Sequence, residues 1–166
     1  MREGFLGTAA PRYADIVLLA EILMGTGLLV GRALARRQQF RLHACCQSLI
    51  VLLNLAVIVL VMVPSFQDHV LPKIPCKLGN AYYALGTAHA ALGSIAEICA
   101  LYILLSAGTK ILPSRLRITE YKLWMRSVLL LWWLALSLGL ATYSRWYVPH
   151  LLLRRAPSVS ELRQAI

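Results

Sequence analysis

Four stretches of this chain are each long and apolar enough to cross a lipid bilayer, and that feature restricts the fold more than any other. A hydrocarbon core of about 30 Å takes about 20 mostly apolar residues in helical form. The segments 13–34, 43–63, 82–105 and 123–147 all meet that length. Within 49–63 the only strongly polar side chain is Asn54, so this segment is apolar on every face. A helix of a soluble bundle would show a polar face at every turn. Strands are a poor alternative, because these runs do not alternate with period two. The expectation is an all-α fold: a four-helix transmembrane bundle, with residues 1–166 as one integral membrane domain and 149–166 as its polar tail.

Charge would otherwise suggest a different partner. The chain has 17 Lys and Arg against 7 Asp and Glu, a net charge of +10, and a pI near 10.0. In a soluble protein that balance points to nucleic acid. Here 59% of residues are hydrophobic and only 14% charged, where a soluble domain carries about 25% charged. The basic residues therefore read as loop residues at the ends of spans, the partner as the lipid bilayer, and no nucleic acid is expected. An integral protein of a bacterial inner membrane is the expected setting.

The joints between spans are marked by arginine and proline. Arg32, Arg36, Arg37 and Arg41 flank a short first connection. Pro64, Pro72 and Pro75 predict a non-helical loop over 64–80, since proline lacks a backbone N–H and restricts the residue before it. Pro113 breaks the third connection, which carries Lys110, Arg115 and Arg117, and Ser158, Ser160 and Glu161 would cap a short surface helix in the tail. Lys and Arg number nine on the side of the first and third connections and eight on the other. The compact connections favour the first side as cytoplasmic, with both termini outside. Ala33-Leu34-Ala35 has the look of a signal-peptide cleavage site, but the stretch before it is long, contains Glu21 and runs straight into Arg36 and Arg37. A retained span is expected.

Ionisable residues inside spans cost about 2.5–3.5 kcal/mol each on insertion scales, so each calls for a partner or a task. Glu21, His89 and Glu97 are the clearest. At helical rise Glu21 lies about 12 Å into the first span and His89 about 10 Å into the third from the same side. That brings the two to one level, with Tyr143 a little above. Glu97 lies about 12 Å from the other end of the third span, where Arg126 of the last span is expected to reach it. One reading makes these structural ties between helices. The other makes one level a proton or cofactor site, with histidine as ligand to haem iron or copper. His43 and His89 stand roughly 20 Å apart vertically and cannot share an iron. His69 would meet His89 if the proline-rich connection folds back over the third span.

The cysteines carry little. Cys45, Cys46, Cys76 and Cys99 form no CxxC, CxxCH or zinc spacing. Gly86, Ala90 and Gly93 line one face of the third span, and Trp132, Leu136, Gly139 and Tyr143 one face of the last, both suited to close helix packing.

Taken together, the run 25–147 resembles small four-helix bacterial membrane proteins related to a maturation factor of haem–copper cytochrome oxidase. The resemblance rests on Arg41-x-His43, His69, His89-Ala-Ala-Leu92, Lys122-x-x-Met125-Arg126, Trp133, Gly139 and Tyr143. It implies haem or metal contact at His43, His69 and His89, with His69 and His89 as the metal pair. That family carries another histidine at the start of its last span, where this chain has Tyr121-Lys122. The resemblance implies an accessory or assembly factor partnering another respiratory membrane protein. A cytochrome b-type electron carrier, which needs paired axial histidines, and a purely structural subunit are the alternatives. No catalytic constellation is visible.

Overall fold

The computed structural model describes residues 4–77, 79–108, 113 and 118–148. Lys110, Arg115, Arg117, His150 and the expected tail helix lie outside them. The described chain is built from helices: α1 (Arg12–Arg36), α2 (Phe40–Val57), a π-helical turn (Ile58–Met62), α3 (Val63–His69), a 3-10 turn (Leu71–Lys73), α4 (Ile74–Lys77), α5 (Ala81–Gly108) and α6 (Tyr121–Tyr147). Four helical stretches, the second running from Phe40 to Lys73, are long and apolar enough to cross a membrane. The expected spans fall inside them.

The apolar side chains explain why the bundle is half inside out. Leu23 is 72% exposed and Leu60 74%, a placement that water penalises and lipid does not. The interior is a thin column of Met24, Leu28, Ile50, Val51, Ala96, Ala100, Val128 and Trp132. Lipid tails are as apolar as leucine, so close packing and hydrogen bonds must hold such helices together. The helices pair accordingly: α1 with α2, and α5 with α6, while α2 meets α5 only lightly.

The α1–α2 hairpin is knit by side chains of α2 that donate to carbonyls of α1. His43 Nδ1–H reaches Gly31 O at 2.7 Å, and Gln47 Nε2 reaches Leu28 O at 3.3 Å. The missing side chain at Gly31 makes this possible, since a Cβ there would lie 2.2 Å from Gln47 Nε2. The α5–α6 pair is tied at its lower end by Ser106, whose carbonyl oxygen accepts from the Tyr121 hydroxyl at 3.2 Å and whose Oγ accepts from Ile118 N–H, just before α6, at 3.0 Å. At the upper end Trp146 stacks on Tyr82, centroids 4.9 Å apart, and its indole N–H donates to Tyr82 O at 3.0 Å.

The segment after the second span corrects the expected loop. Helix continues through Pro64 as α3, and short helical turns carry the chain on to Lys77. The π-helical turn supplies the reason. It widens the helix just ahead of Pro64, where the proline ring would otherwise clash with the carbonyl four residues back and break the regular ladder.

A second feature was not expected at all. Residues 4–11 fold back over the top of the bundle and converge on Asp15, which is fully buried. Leu6 N–H donates to Asp15 Oδ2 at 3.0 Å, and the Tyr143 hydroxyl donates to Oδ1 at 2.5 Å. Thr8 Oγ1 lies 2.7 Å from the same hydroxyl. Tyr143 is thus a partner of Asp15 and Thr8, one level above Glu21.

Candidate functional site

A cavity of about 440 Å³ lies between the two helix pairs, with walls from α1, the α2–α3 stretch, α5 and α6. Exposed Val63, Ala91 and Ser94 line it, so it opens on the side of the bundle where α2 and α5 part. The π-helical turn contributes Ile58 and Met62 to its wall. Such turns recur at functional sites, because the extra residue disturbs the regular ladder.

His89 and Glu21 both line this cavity. His89 Nδ1 lies 2.9 Å from the carbonyl oxygen of Ala135. A carbonyl only accepts, so Nδ1 carries the proton and the neutral ring presents a lone pair at Nε2. Nε2 faces Glu21 Oε1 at 3.8 Å, an ion-pair separation when the ring is charged and too long for a hydrogen bond. The two residues expected at one depth do face each other here, and it is the Ala135 carbonyl that holds the ring.

Gly139 makes this arrangement possible. A Cβ there would lie 2.9 Å from His89 Cε1 and 3.0 Å from Glu21 Oε2. The small residue on α6 therefore admits two polar side chains, where helix-to-helix contact was the expected purpose. Gly93, facing the same cavity from α5, is the opposite case, since a Cβ there would meet nothing within 4 Å.

A second polar group lies deeper. Asn54 Nδ2 donates to Glu97 Oε2 at 2.8 Å. Asn54 lines the cavity, and Glu97 stands behind it at 3% exposure. Glu97 Oε1 is buried without a hydrogen-bond partner among the described residues. The expected Glu97–Arg126 ion pair is not formed, and Arg126 lies exposed on α6. Asn54 is the nearer solution, because α2 crosses α5 at that level, while the Arg126 side chain points away from the bundle. Asn54 was visible in the sequence as the one polar residue of its span, yet its partner was not.

The other histidines do not join His89. His43 locks the α1–α2 hairpin through Gly31. His69 sits exposed at the end of α3, its Nδ1 3.0 Å from Ser65 O, and does not line the cavity. It stays outside because its segment is helical and does not fold back as a loop. No group of three or more His, Cys, Asp or Glu among the described residues could hold a metal. The cavity offers one imidazole and no Lys or Arg to meet haem propionates. These residues do not fit a resident haem or copper centre.

Compared with known proteins, the chain matches no family model, no curated protein and no solved structure.

Proposed function

We propose that this multi-pass membrane protein is an accessory or assembly factor of a respiratory, haem–copper oxidase-type complex, and that it works through the cavity holding His89 and Glu21. The observation that carries this reading is the fixed imidazole. Ala135 takes one ring nitrogen and leaves the other facing an intramembrane space that opens sideways. The residues behind the resemblance support it, for Gly139 packs against the His89 ring, with Tyr143 on α6 one turn further along. Because the donor set does not fit a resident metal or haem, the proposed role is contact with a partner or a passing ligand. An electron carrier of cytochrome b type would need paired axial histidines, whereas His43, His69 and His89 are held separately by Gly31, Ser65 and Ala135.

The test is deletion in the cell of origin, followed by complementation. Membranes of the deletion strain should lose oxidase haem absorbance and oxygen uptake, and the wild-type chain should restore both. His89→Ala, shown by immunoblot to reach the membrane, should not restore them. Unchanged oxidase content in the deletion strain would end the respiratory assignment.

A further inference from the structure

We propose that the cavity between the helix pairs binds the head group of an isoprenoid quinone or quinol taken from the bilayer. The inference rests on reading that cavity as the working site, and it names what occupies it.

Access comes first. The opening between α2 and α5 lies within the stretches that cross the membrane, so a ligand arrives from lipid rather than from water. A volume of about 440 Å³ suits a small organic molecule, for which pockets run about 300–1,000 Å³. Phe66, Trp132 and Leu136 give the walls an apolar, partly aromatic character.

Charge then narrows the class. The polar lining includes Glu21, Asn54, Thr87, His89 and Ser94, with Glu97 behind Asn54, and holds no Lys or Arg. An anionic ligand such as a fatty acid or a phospholipid phosphate would meet carboxylates and no Lys or Arg. The occupant should be neutral and should offer oxygen atoms for hydrogen bonding.

Spacing narrows it further. His89 and Glu97 are eight residues apart on α5, about 12 Å along the helix. A six-membered ring with oxygens at opposite corners, flanked by two hydrogen bonds of about 2.8 Å each, spans about 11 Å. His89 Nε2 stands at one end to accept from a quinol hydroxyl, or to donate to a quinone carbonyl when the ring is charged. At the other end Asn54 spends one N–H on Glu97 and keeps the second N–H and its carbonyl oxygen. The open space at Gly93, between the two ends, is where the ring lies. The proposal is one of binding and includes no electron transfer.

The protein in lipid nanodiscs, titrated with decyl-benzoquinone, should show saturable quenching of tryptophan fluorescence, since Trp132 lines the site. Decylbenzene, which has the tail and ring without the oxygens, should fail to compete. Gly93→Phe, which fills the open space, should weaken binding at least about tenfold, as should the paired Asn54→Leu/Glu97→Leu, which strands no charge. Arg126→Ala, exposed and outside the cavity lining, should bind as the wild type does. Non-saturable quenching, or equal competition by decylbenzene, overturns the proposal on the wild-type protein alone. Unchanged affinity in Gly93→Phe overturns it as well. Saturable binding in a protein whose deletion leaves the oxidase intact would support this site and remove only the respiratory role. Oxidase loss on deletion without quinone binding would do the reverse.

Discussion

Asn54 and Glu97, 43 residues apart in the chain, meet inside the bundle through a hydrogen bond of 2.8 Å. Replacing Asn54 with Leu removes the donor and leaves a buried carboxyl with no partner among the described residues. A loss of about 1–3 kcal/mol in unfolding free energy is expected. Removing both side chains, as Asn54→Leu/Glu97→Leu, should recover much of it. Arg126→Ala, at an exposed position, should stay within about 0.5 kcal/mol. Denaturant unfolding in mild detergent measures all three. A cost for Arg126→Ala that vanishes when Glu97 is also removed would restore the ion pair that the geometry disfavours.

Gly139 is expected to be intolerant and Gly93 permissive, although both are glycines inside apolar spans. Gly139→Ala puts a methyl group 2.9 Å from His89 Cε1 and must push the imidazole off the Ala135 carbonyl. A cost of about 1–3 kcal/mol follows from overpacking. Gly93→Ala meets open space and gains helix propensity, so stability should hold or rise by up to about 1 kcal/mol. Thermal melts of the two variants side by side decide the matter, and equal melting temperatures would contradict it.

Asp15 should hold down the amino-terminal segment. Its carboxylate receives Leu6 N–H and the Tyr143 hydroxyl, so Asp15→Ala unties 4–11, orphans the Leu6 N–H and leaves the hydroxyl with Thr8 alone. Hydrogen exchange at Leu6 should accelerate, and stability should fall by about 1–3 kcal/mol. Tyr143→Phe removes one of the two bonds and should produce a smaller change. Exchange at Leu6 that is unaltered in Asp15→Ala would refute the tie.

Cys76 is exposed and stands in the connection between the second and third spans. If the basic first and third connections lie in the cytoplasm, as charge bias at span ends predicts, a membrane-impermeant maleimide should label Cys76 in intact cells. Labelling that requires permeabilisation inverts the orientation.

The number of the spans was legible because lipid imposes a length and an all-round apolar surface, and both are visible residue by residue. Glu21 and His89 were brought together by counting rise along two helices, since depth in a bilayer is a one-dimensional coordinate. Rotation about the helix axis is not. Nothing in the sequence distinguished Asn54 from Arg126 as the partner of Glu97, because both lie within reach in depth and only the crossing of α2 over α5 separates them. Pro64 misled for a related reason. Proline disrupts an ordinary helix interior, but the wider π-helical turn before it accommodates the ring while the helix runs on. Asp15 escaped notice because an acid in the first turn of a helix is unremarkable, until residues 4–11 are seen to close over it.

The turn at Ile58–Met62 also acts as a phase shifter for everything downstream. A helix advances about 100° per residue, so one surplus residue in that turn sets the azimuth at which α3 leaves it. Phe66 and Gln67 face the cavity at an angle dictated by that surplus. Deleting a single residue from 58–62 would swing both away by roughly a quarter turn or more, while leaving the hydrophobic length of the span almost unchanged. The shape of the chamber is thus encoded in a count of residues, and a change too small to alter membrane insertion would be enough to dismantle it.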